Sequence, residues 1–187
     1  RTDVGMWHFE WEKYIPLLTW FIVPYMSIDL FFAAAPFLCK SREELATHAK
    51  RIVFAILIAG GIFLIMPLKL VITRPEPTDW TGPIFRFLHS FDEPHNLFPS
   101  LHITLRAILA DLYARRTKGG WRVAVHVWFS LIGFSTILVG QHHVPDVLGG
   151  FVLAAFCLYL FPTAQPVAPG LATRSPLARY YIVGDVL

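Results

Sequence analysis

Long apolar runs separated by short polar segments dominate the sequence. A helix needs about 20 residues to cross the hydrocarbon core of a bilayer, and several runs approach that length. The predicted helical segments cover residues 14–39, 52–73, 100–115, 121–140 and 144–162. Barrel strands would instead alternate over about ten residues. The pattern therefore predicts an all-α polytopic transmembrane bundle of about five spans.

Three polar stretches interrupt these runs and complete the predicted organisation. Residues 40–51 are predicted to be a charged loop, and residues 74–99 a long, proline-rich loop of the kind that is often functional. Residues 1–13, with their tryptophans, are predicted to be an interfacial segment at headgroup level. Residues 14–162 then form the transmembrane catalytic bundle, and residues 163–187 a tail or the start of a further segment. Asp29, inside the first run, is expected to face the bundle interior.

Composition supports a membrane protein. The chain is 55% hydrophobic and 16% charged, whereas soluble domains carry about 25% charged residues. The net charge of +3 is modest, so the lipid bilayer is a more plausible partner than nucleic acid. Cys39 and Cys157 are interpreted as buried small hydrophobes, without a disulfide or metal site.

The distribution of lysine and arginine predicts the orientation of the bundle. Cytoplasmic loops carry an excess of these residues, and one set of loops holds most of them: Lys40, Arg42, Lys50, Arg51, Arg115, Arg116, Lys118, Arg122, Arg174 and Arg179. The opposite set, residues 1–13, 74–99 and 140–145, is then the outer face. The three motifs with candidate chemistry all fall on that face. A bacterial inner membrane is the expected location.

The first motif pairs His142 with Asp146. At positions i and i+4 of a helix start, the two side chains share a face. A carboxylate behind an imidazole fixes its tautomer and leaves the other ring nitrogen free to act as a base or nucleophile. A purely structural hydrogen-bonded pair is the alternative. A second alternative is a zinc or iron site, in which His143 and His102 join them.

The other two motifs supply an acid and an anion site. His102 lies in the opening turn of the helix that follows Pro99, where free N–H groups bind phosphate and a histidine can protonate a leaving oxygen. Ser100 adds a hydroxyl, and Lys69 and Arg74 add cations suited to phosphate. Together these groups fit phosphoryl transfer through a phosphohistidine.

These motifs resemble the signature of the type 2 phosphatidic acid phosphatase superfamily of membrane lipid phosphatases and phosphotransferases. Its second motif is complete as Pro99-Ser100-Leu101-His102, and the third keeps its spacing from Ser135 through His142 to Asp146. The resemblance covers about residues 50–162. It implies a cofactor-free, metal-independent enzyme acting on a phosphorylated lipid. By it, His142 is the nucleophile, Asp146 its orienting partner and His102 the general acid, while Arg74, Lys69 and Ser100 hold the phosphate.

The sequence departs from the family pattern at two places. Lys69 and Arg74 are five positions apart rather than seven, so Arg74 fits the motif better. Thr136 stands where the family usually has an arginine; Arg106 is a candidate replacement, although pairing with a buried acceptor is the favoured interpretation. The family usually has six spans, so a helix upstream of Arg1 and additional domains are expected.

Four functions remain open from the sequence. A lipid phosphatase is the leading hypothesis. A phosphotransferase resembling inositol- or choline-phosphate transferases would use the same histidines, with a lipid alcohol in place of water. A non-catalytic domain that binds lipid phosphate is the third, and a metal-dependent membrane hydrolase is the fourth.

Overall fold

The computed structural model describes residues 4–71, 76–90 and 96–163. Within them the chain forms six α-helices, and two short 3-10 helices, Glu10–Tyr14 and Thr19–Phe21, precede the first. The helices are α1 (Ile22–Leu38), α2 (Arg42–Ile65), α3 (Gly82–His89), α4 (Leu101–Arg116), α5 (Gly119–Leu138) and α6 (Val144–Leu160). The predicted all-α fold is confirmed.

Helix α4 is the centre of the bundle and packs against α1, α2, α5 and α6. On one side, Leu109 and Leu112 of α4 join a buried cluster with Phe129 and Ile132 of α5. On another side, Ile108 packs with side chains of α2 and α6. The motif with His102 therefore begins a helix that is held from several sides, and the motif with His142 leads into α6, one of the helices that pack against it.

The close crossing of α4 and α6 depends on glycine. A Cβ at Gly150 would lie 2.6 Å from the carbonyl oxygen of Ser100 and 2.8 Å from the Cβ of Ile103. The Thr104 hydroxyl lies 2.9 Å from the Ser100 carbonyl oxygen and 3.1 Å from that of Gly150, so it bonds across the crossing. The absence of a side chain at Gly150 lets the two helix N-termini meet.

We expect Gly150→Ala to destabilise the bundle by about 1–3 kcal/mol, the usual cost of overpacking. Gly60→Ala is the matched control, because a Cβ there meets nothing within 4 Å of the described residues, and alanine favours the helix. Thermal unfolding of both variants in the same detergent measures the difference. Equal midpoints would contradict the steric account of the crossing.

Charged side chains join α2 to α4 at the end of the bundle away from the histidines. Buried Arg51 donates to Asp111 (2.9 Å) and to the Phe161 carbonyl (2.8 Å). Arg115 and Arg116 both bond to Glu44. The prediction of a charged loop over 40–51 is therefore wrong: α2 begins at Arg42, where the Ser41 hydroxyl caps the Glu44 N–H (3.1 Å). The charges stay in a helix because α4 supplies their partners.

The long connection between α2 and α4 also contains a helix that the sequence prediction missed. Asp79 accepts hydrogen bonds from the N–H and hydroxyl of Thr81, which lower the pKa of its carboxyl group. Helix α3 follows, with Phe85 buried and Phe87 exposed. The predicted loop over 74–99 is thus helical in its middle.

Among the described residues, three helical segments are long and apolar enough to cross a membrane: Thr19–Leu38, Arg42–Ile65 and Gly119–Leu138. Helices α4 and α6 are shorter, at 16 and 17 residues.

Asp29 was expected to face the interior, but its side chain is exposed on α1, because α4 and α5 pack on other positions of that helix.

Candidate active site

His142 lies in the turn between α5 and α6. Gly140 reverses the chain with a φ of 75°, a conformation that suits glycine. The N–H groups of Gln141 and His142 then donate to the Thr136 carbonyl at 3.0 and 3.1 Å. The helix predicted over 144–162 begins at Val144 as expected, so His142 lies in the turn before it and not on its first turn, yet the turn still brings the imidazole beside Asp146.

Asp146 is fully buried in the first turn of α6. Its Oδ2 accepts the backbone N–H of His143 at 2.8 Å and lies 3.7 Å from Nδ1 of His142. Among the described residues, neither Nδ1 of His142 nor Oδ1 of Asp146 has a hydrogen-bond partner. The pair is therefore adjacent but loose, as catalytic hydrogen bonds often are before substrate binds.

His102 lies in the first turn of α4, close to this pair. Its ring stacks on the ring of Tyr25 of α1, with centroids 4.1 Å apart, and it is close enough to His142 for an electrostatic interaction. The backbone N–H of Ser100 donates to the Asp146 carbonyl at 2.9 Å, which joins the two helix starts. The structure thus brings His102, His142 and Asp146 together.

The three predicted phosphate-binding residues lie in different settings. Ser100 is buried, and its hydroxyl oxygen accepts the Ile103 N–H at 3.3 Å, which leaves the hydroxyl proton for another acceptor. Lys69 is exposed in the connection that follows α2. Arg74 lies outside the described residues.

Arg106 does not stand in for the arginine that Thr136 replaces. Its Nε donates to the Phe129 carbonyl, and its guanidinium lies beside Gly133 and 5.6 Å from the Phe151 ring. Phe129 and Gly133 precede Thr136 along α5, on the side away from the turn of His142. The predicted pairing of Arg106 with a buried acceptor is confirmed.

Sequence analysis missed two residues of this region. Tyr25 lies within an apolar run, and nothing in its spacing marks it as the partner of His102. Glu12 is 2% exposed and bonds to Nδ1 of His143 at 2.8 Å. A carboxylate within the tryptophan-rich segment was the available signal, but it gives no indication of a partner 131 positions away.

A small hollow opens beside this cluster. Its lining includes His142 and His143 together with Glu12, Leu70, Ile137 and Gly140. His142 is the residue that belongs both to the hollow and to the pair with Asp146.

Comparison with models of known protein families gives a match. The model of the PAP2 superfamily matches residues 49–168, which include the turn of His142 and the starts of α4 and α6. No solved structure matches the chain. Within the part of the chain that the structure describes, no three His, Cys, Asp or Glu side chains group as metal ligands.

Proposed function

The chain belongs to the PAP2 superfamily, and on this premise we propose that it is an integral membrane lipid phosphatase acting through a phosphohistidine. Membership implies phosphatase or phosphotransferase chemistry, and members are generally metal-independent phosphatases. The observation that carries the proposal is the convergence of His102, His142 and Asp146 from two helix starts. The substrate is a lipid with a phosphate or diphosphate headgroup.

The geometry favours Nε2 of His142 as the nucleophile. Its Nδ1 faces the Asp146 carboxylate, which favours a proton on Nδ1 and a lone pair on Nε2. Nε2 attacks phosphorus and forms the N–P bond while the bond from phosphorus to the lipid oxygen breaks. Asp146 stabilises the positive charge that develops on the ring.

His102 supplies the proton for the departing lipid oxygen. A bound phosphate dianion favours the protonated state of a neighbouring imidazole by its opposite charge. In the second step His102 takes a proton from water, whose oxygen attacks phosphorus, and inorganic phosphate leaves His142. The ring of Tyr25 keeps the imidazole of His102 in place by stacking.

Phosphate is held by Ser100, Lys69 and Arg74 in this proposal. The start of α4 adds N–H groups and the positive end of its dipole. Five helices, α1, α2, α4, α5 and α6, cross the membrane, with the histidines at the outer face of a bacterial inner membrane. The support for this orientation is that Arg51, Arg115 and Arg116 lie at the other end of the bundle.

We expect turnover to be insensitive to EDTA. Purified protein is offered a panel of lipid phosphates and diphosphates with and without the chelator, and free phosphate is measured. Release that continues at the same rate supports histidine chemistry without a metal. A loss of more than about tenfold, restored by a divalent cation, would contradict it.

A phosphotransferase is the second candidate, favoured by how much of the outer end is covered. The N-terminal segment pairs with the connection after α2 through Gly5 and Leu68, and the ring of Trp7 lies 5.0 Å from that of Phe98. Such a cover limits water. Supplying an acceptor lipid distinguishes the two, because a transferase forms a new phospholipid whereas a phosphatase releases only phosphate.

A further inference from the structure

A buried carboxylate–imidazole pair lies next to His142 and has no part in the chemistry above. Glu12 and the His143 side chain are 2–3% exposed, and Oε2 of Glu12 lies 2.8 Å from Nδ1 of His143. The Glu12 carboxylate also accepts the N–H groups of Phe9 (2.9 Å) and Val144 (3.2 Å). The side chain of Glu12 is therefore held by contacts to three other residues.

The partners of His143 fix its tautomer. Its Nε2 lies 3.2 Å from the backbone N–H of Val71, which donates to it, so Nε2 carries no proton. Nδ1 therefore carries the proton and donates it to Glu12. Because both ring nitrogens are engaged, His143 is not available as an acid or base for the substrate.

These bonds connect three parts of the chain at the edge of the hollow. The backbone N–H of His143 donates to Asp146, and its ring holds both the N-terminal segment and the connection after α2. That connection is also paired with Gly5, whose N–H donates to Pro67 (3.0 Å) and whose carbonyl accepts from Lys69 (3.1 Å). Leu70, one residue before Val71, lines the hollow with His142.

We propose that Glu12 and His143 are positioning residues that hold residues 67–71 against His142 and so set the shape of the headgroup site. This inference rests on the proposed phosphatase function. The ring of His143 bonds to Glu12 through Nδ1 and to the backbone of Val71 through Nε2. The bond at Nε2 orients the residues that line the hollow next to Val71. Loss of the hydrogen bond from Val71 to Nε2 widens the site and weakens binding of the phosphate headgroup, while the His142–Asp146 pair remains.

Two substitutions separate the two sides of the ring. The amide nitrogen of His143→Asn occupies about the position of Nδ1 and keeps the bond to Glu12, but it loses the acceptor for Val71. The amide oxygen of His143→Gln reaches about the position of Nε2 and keeps that acceptor. We expect His143→Asn to raise KM about tenfold with kcat changed less than about threefold, and His143→Gln to restore most of the loss.

Glu12→Gln and Glu10→Gln form a matched pair in one 3-10 helix, since the side chain of Glu10 is 86% exposed. Glu12→Gln turns an amide N–H toward backbone donors and is expected to raise KM about tenfold, whereas Glu10→Gln leaves it unchanged. Equal KM values for these two variants, or for His143→Asn and wild type, would overturn the proposal. A general loss of thermal stability with no difference between His143→Asn and His143→Gln would also overturn it.

Hydrogen exchange of the Val71 amide provides a readout that does not need turnover. We expect His143→Asn to speed this exchange about tenfold or more, and His143→Gln to protect it, with α4 and α6 unchanged. Unaltered exchange of the Val71 amide in His143→Asn would refute the role of the hydrogen bond from Val71 to His143, whether or not the wild type is active. If the wild type turns over no substrate, the proposed function fails. The exchange measurement still tests whether His143 holds Val71 in place.

Discussion

We expect His142→Ala to abolish turnover of every substrate, with kcat reduced about 10⁴- to 10⁶-fold, as when one member of a nucleophile–base unit is removed. No covalent phosphoenzyme forms, because the nitrogen that would carry phosphorus is missing. Quenching the wild type with radiolabelled substrate traps a label that is labile in acid and stable in alkali, as expected of phosphohistidine. The variant traps none.

The control for this result is His126→Ala, since His126 is exposed on α5 and distant in sequence from the turn. It is expected to retain wild-type kcat and labelling. The thermal midpoints of both variants show whether they fold. Trapped label or ordinary turnover in folded His142→Ala would eliminate the phosphohistidine mechanism.

Motif spacing together with helix signals was sufficient to predict the region around the histidines. The helix expected over 100–115 is α4 (Leu101–Arg116), and the one expected over 144–162 is α6 (Val144–Leu160). Both begin at proline-containing segments, Pro99 and Pro145, whose geometry suits a first helical turn. Such local signals survive folding because they need no distant partner.

The errors fell where distant partners decide the structure. Residues 42–51 look like a loop because they are charged. In the structure, however, Arg51 is paired with a carboxylate of α4 and Glu44 with arginines of α4. Glu12 looks like a surface residue of an interfacial segment until His143 is placed beside it. One sequence contains no signal for such pairings, because hydrophobic period and capping report only neighbours along the chain.

The sequence also left the role of the second histidine in the His142-His143 pair undecided. Adjacent side chains point to different places in an extended turn, and here one ring faces Asp146 while the other faces Glu12. Both ring nitrogens of His143 are engaged, by Val71 and by Glu12, whereas the Nδ1 of His142 faces Asp146 and the proposed mechanism uses its Nε2 for attack. This difference is what makes His142 the better candidate for the nucleophile.

The general acid is best tested through the leaving group. We expect His102→Asn to reduce the rate on an alkyl lipid phosphate about 10²- to 10⁴-fold, the usual contribution of general acid catalysis. On nitrophenyl phosphate the first step should slow less than about tenfold, because a nitrophenolate leaves without a proton. A burst of nitrophenol followed by slow turnover is the expected signal.

The same variant should accumulate labelled phosphoenzyme from nitrophenyl phosphate, because in the proposed mechanism His102 also activates the water that cleaves the N–P bond. His142→Ala, by contrast, is expected to lose activity on both substrates and to trap no labelled phosphoenzyme. A uniform loss on both substrates in folded His102→Asn, with no accumulation, would assign His102 to packing against Tyr25 rather than to proton transfer. The ratio of the two rates therefore tests the chemical role of this buried imidazole separately from its part in the fold.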